Sequence, residues 1–114
     1  MPDPGQQLRA RISALQAQRR SLESKLLQPQ SMLAASLVER FLKADGVART
    51  SAAYYLSRSQ QGTSKLSYVK KEDLPRVRQQ CAAYRTFQQN LKRWRQLTVS
   101  LESLWKQLQQ AQSP

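Results

Sequence analysis

Residues 52–69 read AAYYLSRSQQGTSKLSYV, a run of β-formers and serines broken by Gln61-Gly62. Elsewhere leucine, glutamine and arginine recur at helical spacing, so this stretch decides whether the molecule is a helical bundle or carries a sheet. A two-residue turn at Gln61-Gly62 sets Gln60 opposite Thr63, Arg58 opposite Lys65, Tyr55 opposite Tyr68 and Tyr54 opposite Val69. Alternation then places Tyr55, Ser57, Leu66 and Tyr68 on one face, and Tyr54, Leu56, Arg58, Lys65, Ser67 and Val69 on the other. Gln-Gly is a weaker turn signal than Asn-Gly, and a slip of one residue would turn one strand over. A lone hairpin is marginal in water, so the sequence requires a third strand, a helix beneath the hairpin, or both.

Helical patterns flank this segment. Residues 6–27 carry Leu8, Ile12, Leu15, Leu22 and Leu26 along one helical face, interrupted by Arg19, and Pro29 forbids continuation. From Asp73 to Gln110, apolar residues fall at Val77, Cys81, Tyr84, Phe87, Leu91, Trp94, Leu97, Leu101, Leu104, Trp105 and Leu108, with Tyr84, Leu91, Thr98 and Trp105 seven apart. Asp73 caps the start, and Pro75 is tolerated in a first turn, where its missing N–H costs nothing. At ~1.5 Å per residue the second helix reaches roughly 55 Å, more than a small globule can bury along its length. Its C-terminal half is expected to pair antiparallel with the N-terminal helix as a coiled coil, and its N-terminal half to back the segment between. The 17 glutamines supply no charge code for partner choice, so the coiled coil can close within the chain or between chains.

Between these helices, residues 32–43 (MLAASLVERFLK) fit a helix through Leu33, Leu37 and Phe41, and equally a strand from Ser36 to Lys43. A segment this short is not settled by periodicity. Residues 44–51 (ADGVARTS) read as a polar loop broken at Gly46.

With 114 residues the chain is expected to form a single domain. Its 19 Lys and Arg against 7 Asp and Glu give a net charge of +12, which favours polyanionic partners, nucleic acid first among them. Cys81 is the only cysteine, so no disulfide closes within one chain and a reducing compartment follows. No apolar run approaches the ~20 residues that cross a bilayer. The start, MPDPGQQLRA, lacks the basic-then-apolar pattern of a signal peptide. The expectation is a soluble cytoplasmic protein without a membrane partner.

Catalytic chemistry is poorly supplied. There is no histidine, the usual general base and commonest metal ligand. One cysteine builds no zinc site within the chain, and three glycines form neither phosphate-binding loop signature. Glu72 and Asp73, the only adjacent acids, sit where a helix start favours negative charge. Cys81 lies on the apolar helix face between Val77 and Tyr84, as a packing thiol does. No enzyme, metal or cofactor is expected.

The cations gather in the middle. Between residues 40 and 95 there are thirteen, Arg40, Lys43, Arg49, Arg58, Lys65, Lys70, Lys71, Arg76, Arg78, Arg85, Lys92, Arg93 and Arg95, against Asp45, Glu72 and Asp73. An ordinary solvated face would intersperse glutamate, and here it is scarce. Arg58 and Lys65 flank the turn, Lys70 and Lys71 follow the second strand, and Arg78 and Arg85 share a helix face. A two-stranded ribbon can enter a DNA major groove, with the next helix start and its cations against phosphates. Tyr55 and Tyr68 are expected to pack inward on the helix, since a hairpin needs one apolar face; the alternative is that they stack on unpaired bases. Lys92, Arg93 and Arg95 surround Trp94, expected in the helical seam, and offer a second phosphate or partner surface.

The order SLVERFLK, a short loop, YYLSRSQQGTSKLSYV, a Lys-Glu helix start and a Val-Arg…Tyr-Arg-x-Phe helix resembles a family of small uncharacterised bacterial proteins, a domain of unknown function, some near mobile elements. The likeness spans about residues 32–95. Members of the family carry a Cys/Gly-rich knuckle after the first segment and a His-Gly-Pro before the tyrosines. This chain has KADGVART and SAA there, so no metal role carries over. The resemblance implies that residues 36–43 are a strand pairing with the hairpin. The expectation is therefore an α+β protein: N-terminal helix, three-stranded antiparallel sheet over residues 36–69, and a long helix. It would be a nucleic-acid-binding accessory subunit, of DNA or RNA, with a protein partner or homodimer through its helices. The rival is a coiled-coil adaptor whose basic face meets an acidic protein.

Overall fold

The structure is a computed structural model; it describes residues 3–44 and 47–113, with the side chains of residues 42–51 outside the described set. The elements run α1 (Pro4–Leu26), β1 (Ser36–Ala44), β2 (Val47–Gln60), β3 (Thr63–Val69) and α2 (Leu74–Gln112), an α+β fold. The chain divides into two compact units, Met1–Pro29 with Phe87–Pro114, and Gln30–Thr86. The unbroken α2 contributes to both.

In the helical unit, α1 starts earlier than its leucine pattern suggests. Asp3 is the N-cap and its Oδ1 accepts a 3.1 Å bond from the Gly5 amide, while Pro4 takes the first helical position. The helices pair antiparallel within the chain: Arg9 donates to Gln112, and Trp94 to Glu23. Ile12, Leu101, Leu104 and Leu108 form the buried core, with Leu8 and Leu15 packed on it. Leu97, Leu101, Leu104 and Leu108 follow the four-three-four spacing of a coiled-coil seam. Trp105, placed by sequence among the apolar residues of that stripe, is 50% exposed. Thr98 and Trp105 each follow a seam leucine, Leu97 and Leu104, by one residue, about 100° round the helix, which sets their line to the side of the seam.

In the sheet unit the strand order is β1-β2-β3, all antiparallel. Residues 36–44 are strand, which resolves the helix-or-strand ambiguity in that segment. The hairpin register matches the one read from sequence: Tyr54 faces Val69, Tyr55 faces Tyr68, Arg58 faces Lys65 and Gln60 faces Thr63. Gln61 and Gly62 have φ of 50° and 79°, the two positive values a two-residue turn of this hand needs. The loop expected over residues 44–51 is mostly strand, because β1 runs to Ala44 and β2 begins at Val47. Asp45-Gly46 is itself a strong two-residue hairpin sequence; these two residues lie outside the described set. The β1–β2 register shifts between Phe41 and Lys43.

One face of this sheet lies on the start of α2. Leu56, Val69 and Val77 are buried together, with Leu33, Ala35, Leu37, Tyr54, Leu74 and Cys81 packed around them. The expected inward packing of Tyr55 and Tyr68 is therefore reversed: they stand on the opposite face, and Tyr68 is 63% exposed. The aliphatic pair Leu56 and Val69, aligned with Leu37 of β1, takes the helix-facing side instead. The segment before β1 is tied to α2 by the Leu33 amide, which donates to the Gln80 carbonyl at 3.1 Å, and by Gln80 Nε2, which donates to Ser31 Oγ at 2.6 Å.

Candidate nucleic-acid interface

The helix-facing side of the hairpin carries Arg58 and Lys65 as a cross-strand pair. Like charges directly opposite each other repel, so this pair is held together by the β2–β3 ladder and not by any mutual attraction. A shallow hollow lined by Gln60, Gln61, Thr63 and Lys65 adds amide and hydroxyl groups at the tip.

The first turns of α2 bring more cations to this unit. Asp73 accepts the Val77 amide at 2.9 Å through its carbonyl, as an N-cap residue does, and its carboxylate lies 3.4 Å from Arg76. The Arg78 guanidinium sits 5.5 Å from the ring centroid of Tyr54, an arrangement that holds a long side chain over the sheet. Burial pushes the Cys81 thiol above its usual range, while the positive charges of Arg58 and Arg85 pull it partly back.

Arg40, Arg58, Lys65, Lys70, Lys71, Arg76, Arg78 and Arg85 are all exposed. Among the described residues, Arg76 is the only one of these eight with a carboxylate within ion-pair distance. Arg40 stands apart from the others: its guanidinium lies 5.9 Å from the Tyr55 ring centroid, on the face away from α2. The side chains of Lys43 and Arg49, also candidates, lie outside the described residues.

In the helical unit Lys92, Arg93 and Arg95 are exposed around Trp94. Arg93 is engaged, donating to Gln18 at 3.4 Å, while Lys92 and Arg95 border a shallow depression with Gln96, Val99 and Ser100. Trp94 is half-buried in the helix pair, its indole N–H donating to Glu23 Oε1 at 2.8 Å. Arg19, which breaks the leucine pattern of α1, lies over the Trp94 ring at 5.9 Å and donates to Thr98 at 3.4 Å. The interruption in the seam is thus a polar clasp between helices.

Among the described residues no three His, Cys, Asp or Glu side chains gather as a metal site, and no helix is long and apolar enough to cross a membrane. Comparison with models of known protein families, with curated proteins and with solved structures returned no match.

Proposed function

We propose that the protein is a non-catalytic nucleic-acid-binding accessory protein that grips phosphates with its basic hairpin end and the first turns of α2. The observation that carries this is the set of eight exposed cations in the sheet unit, of which only Arg76 meets a carboxylate among the described residues. Surface cations left without acidic neighbours keep their charge available to an external polyanion. Service within a larger bacterial nucleoprotein complex, of a mobile-element or defence system, rests on the resemblance of residues 32–95.

Filter binding against salt tests the function. Each phosphate neutralised steepens the log–log salt dependence by about 0.9 for duplex DNA and about 0.7 for a single strand. Replacing Arg58→Glu and Lys65→Glu together should shallow that slope by about two phosphates' worth and weaken binding roughly tenfold or more. Undiminished binding by this variant removes the hairpin from the interface. Failure of the unaltered chain to bind any DNA or RNA at low salt removes the function itself.

A second role is favoured by the helical unit, where Val99 and Trp105 are both exposed on α2. Exposed tryptophan is a frequent anchor of protein interfaces, so the flank of α2 that carries Trp105 suits a protein partner or a second copy. If the adaptor role is the whole function, an acidic polypeptide will bind and nucleic acid will not.

A further inference from the structure

Within the sheet unit the packing lies on the side facing the start of α2, and no element of that unit packs on the opposite face among the described residues. Strand alternation puts Val38, Arg40, Tyr55, Ser57, Leu66 and Tyr68 on this face, with Glu39 on the other. Leu66 and Tyr68 of β3 are both well exposed. Tyr55 and Tyr68 meet edge to face, with ring centroids 5.8 Å apart and an interplanar angle of 70°. That contact braces the exposed Tyr68 ring against a half-buried neighbour, so less side-chain entropy remains to be lost on binding. Arg40, over Tyr55, is the one charged side chain that alternation assigns to this face within the paired residues 36–41, 52–59 and 64–68.

We propose that this face is a base-stacking platform for an unpaired nucleic-acid strand. The inference rests on the nucleic-acid function proposed above and names its substrate class. Tyr68 is the stacking ring, Tyr55 its support, and Arg40 the cation that meets a phosphate or lies flat on a neighbouring base. A duplex keeps its bases stacked on one another and offers this face little beyond sugar and phosphate. A single strand turns its bases outward onto aromatic rings. The occupant is argued from charge complementarity: the paired residues of this face include a cation and no acid, in a chain of net charge +12. A neutral aromatic patch with acidic neighbours would instead have pointed to a basic or apolar protein.

The test is fluorescence anisotropy with the full chain and fluorescein-labelled probes of one mixed sequence. The probes are single-stranded DNA, the matching RNA, the annealed DNA duplex, and an abasic strand of the same length that keeps phosphates and lacks bases. The unaltered chain should bind one or both natural single strands about tenfold more tightly than the abasic strand or the duplex. Tyr68→Ala should weaken single-strand binding by about tenfold and leave duplex and abasic binding within about twofold, whereas Tyr68→Phe should retain the preference. Arg58→Glu with Lys65→Glu should weaken every probe. Because Tyr68 is exposed, unchanged thermal melting by circular dichroism shows that its variants are folded.

Three results overturn the platform while leaving the nucleic-acid function standing: no preference for natural single strands, no effect of Tyr68→Ala, or equal weakening of all probes by Tyr68→Ala. Absence of binding to every probe at low salt overturns both. Displacement of the single strand by a polyglutamate peptide at lower concentration than by unlabelled oligonucleotide also overturns it, in favour of an acidic protein partner.

Discussion

Removing Glu23 is the most direct probe of what holds α1 in register on α2. In Glu23→Ala the Trp94 indole loses its acceptor at 2.8 Å, and Arg19 loses a carboxylate 3.8 Å from its Nε. The Arg19 and Glu23 side chains are 31% and 42% exposed, so their i,i+4 pair contributes only about 0.3–0.5 kcal/mol. The indole bond is worth more, about 1.5 kcal/mol, since its acceptor is ionised and its surroundings are partly buried. Alanine's better helix propensity returns a few tenths of a kcal/mol, leaving a net loss of about 1.5 kcal/mol. Trp94→Phe keeps an aromatic ring and drops the N–H, so a double-mutant cycle of the two should show a coupling of about 1 kcal/mol. Urea denaturation followed by far-ultraviolet circular dichroism measures all four proteins without depending on the tryptophan removed. A coupling below about 0.3 kcal/mol would refute the clasp and leave register to the leucine seam alone.

Other outcomes follow from the same packing. Gly62→Ala adds a Cβ with nothing within 4 Å, yet φ is 79°, so the cost is torsional only: a loss of about 1–2 kcal/mol in thermal or urea unfolding. Leu101, 2% exposed between Ile12, Leu104 and Leu108, should cost about 3 kcal/mol when truncated to alanine, by the same measurement. The Cys81 thiol has its pKa raised in the folded state, so its contribution to stability is intact below the ordinary value of 9.0 and is lost as pH rises through the higher folded value. Stability profiles of the unaltered chain and Cys81→Ala should therefore converge in shape below that point and diverge above it. Because the Arg58 charge lowers that pKa, Arg58→Gln should raise it further and slow alkylation of the native thiol by iodoacetamide at mildly alkaline pH; faster alkylation would contradict that electrostatic effect.

The parts legible in the sequence were those governed by local chemistry. Gln61-Gly62 fixed the hairpin register, and Pro29, Asp73 and Pro75 marked helix limits, because turn and cap preferences act within a few residues. Strand β1 could not be separated from helix by period, since what makes it a strand is the partner edge of β2. Asp45-Gly46 was the missed signal: the same two-residue turn logic applied at Gln61-Gly62 would have shortened the loop expected over residues 44–51. The tyrosine faces failed for a different reason. Alternation tells which residues share a face, and both faces here are half apolar, so only the packing of Leu37, Leu56 and Val69 on Val77 chose between them. Among the candidate cations, position along the chain gave no hint that Arg40 would part from the rest and join Tyr55.

The strand order leaves β1 and β3 as the two outer strands of the sheet. An outer strand invites another chain to extend the sheet, and cations along it are a known deterrent. Lys65 lies within β3, Lys70 and Lys71 follow it immediately, and Arg40 lies within β1, so an approaching copy would meet its own charge at each edge. The same side chains that would hold a polyanion thus act as an electrostatic guard against self-assembly. Concentrated salt, or a polyanion in matching amount, lowers that guard, and edge-to-edge aggregation is the hazard attached to handling this protein under either condition.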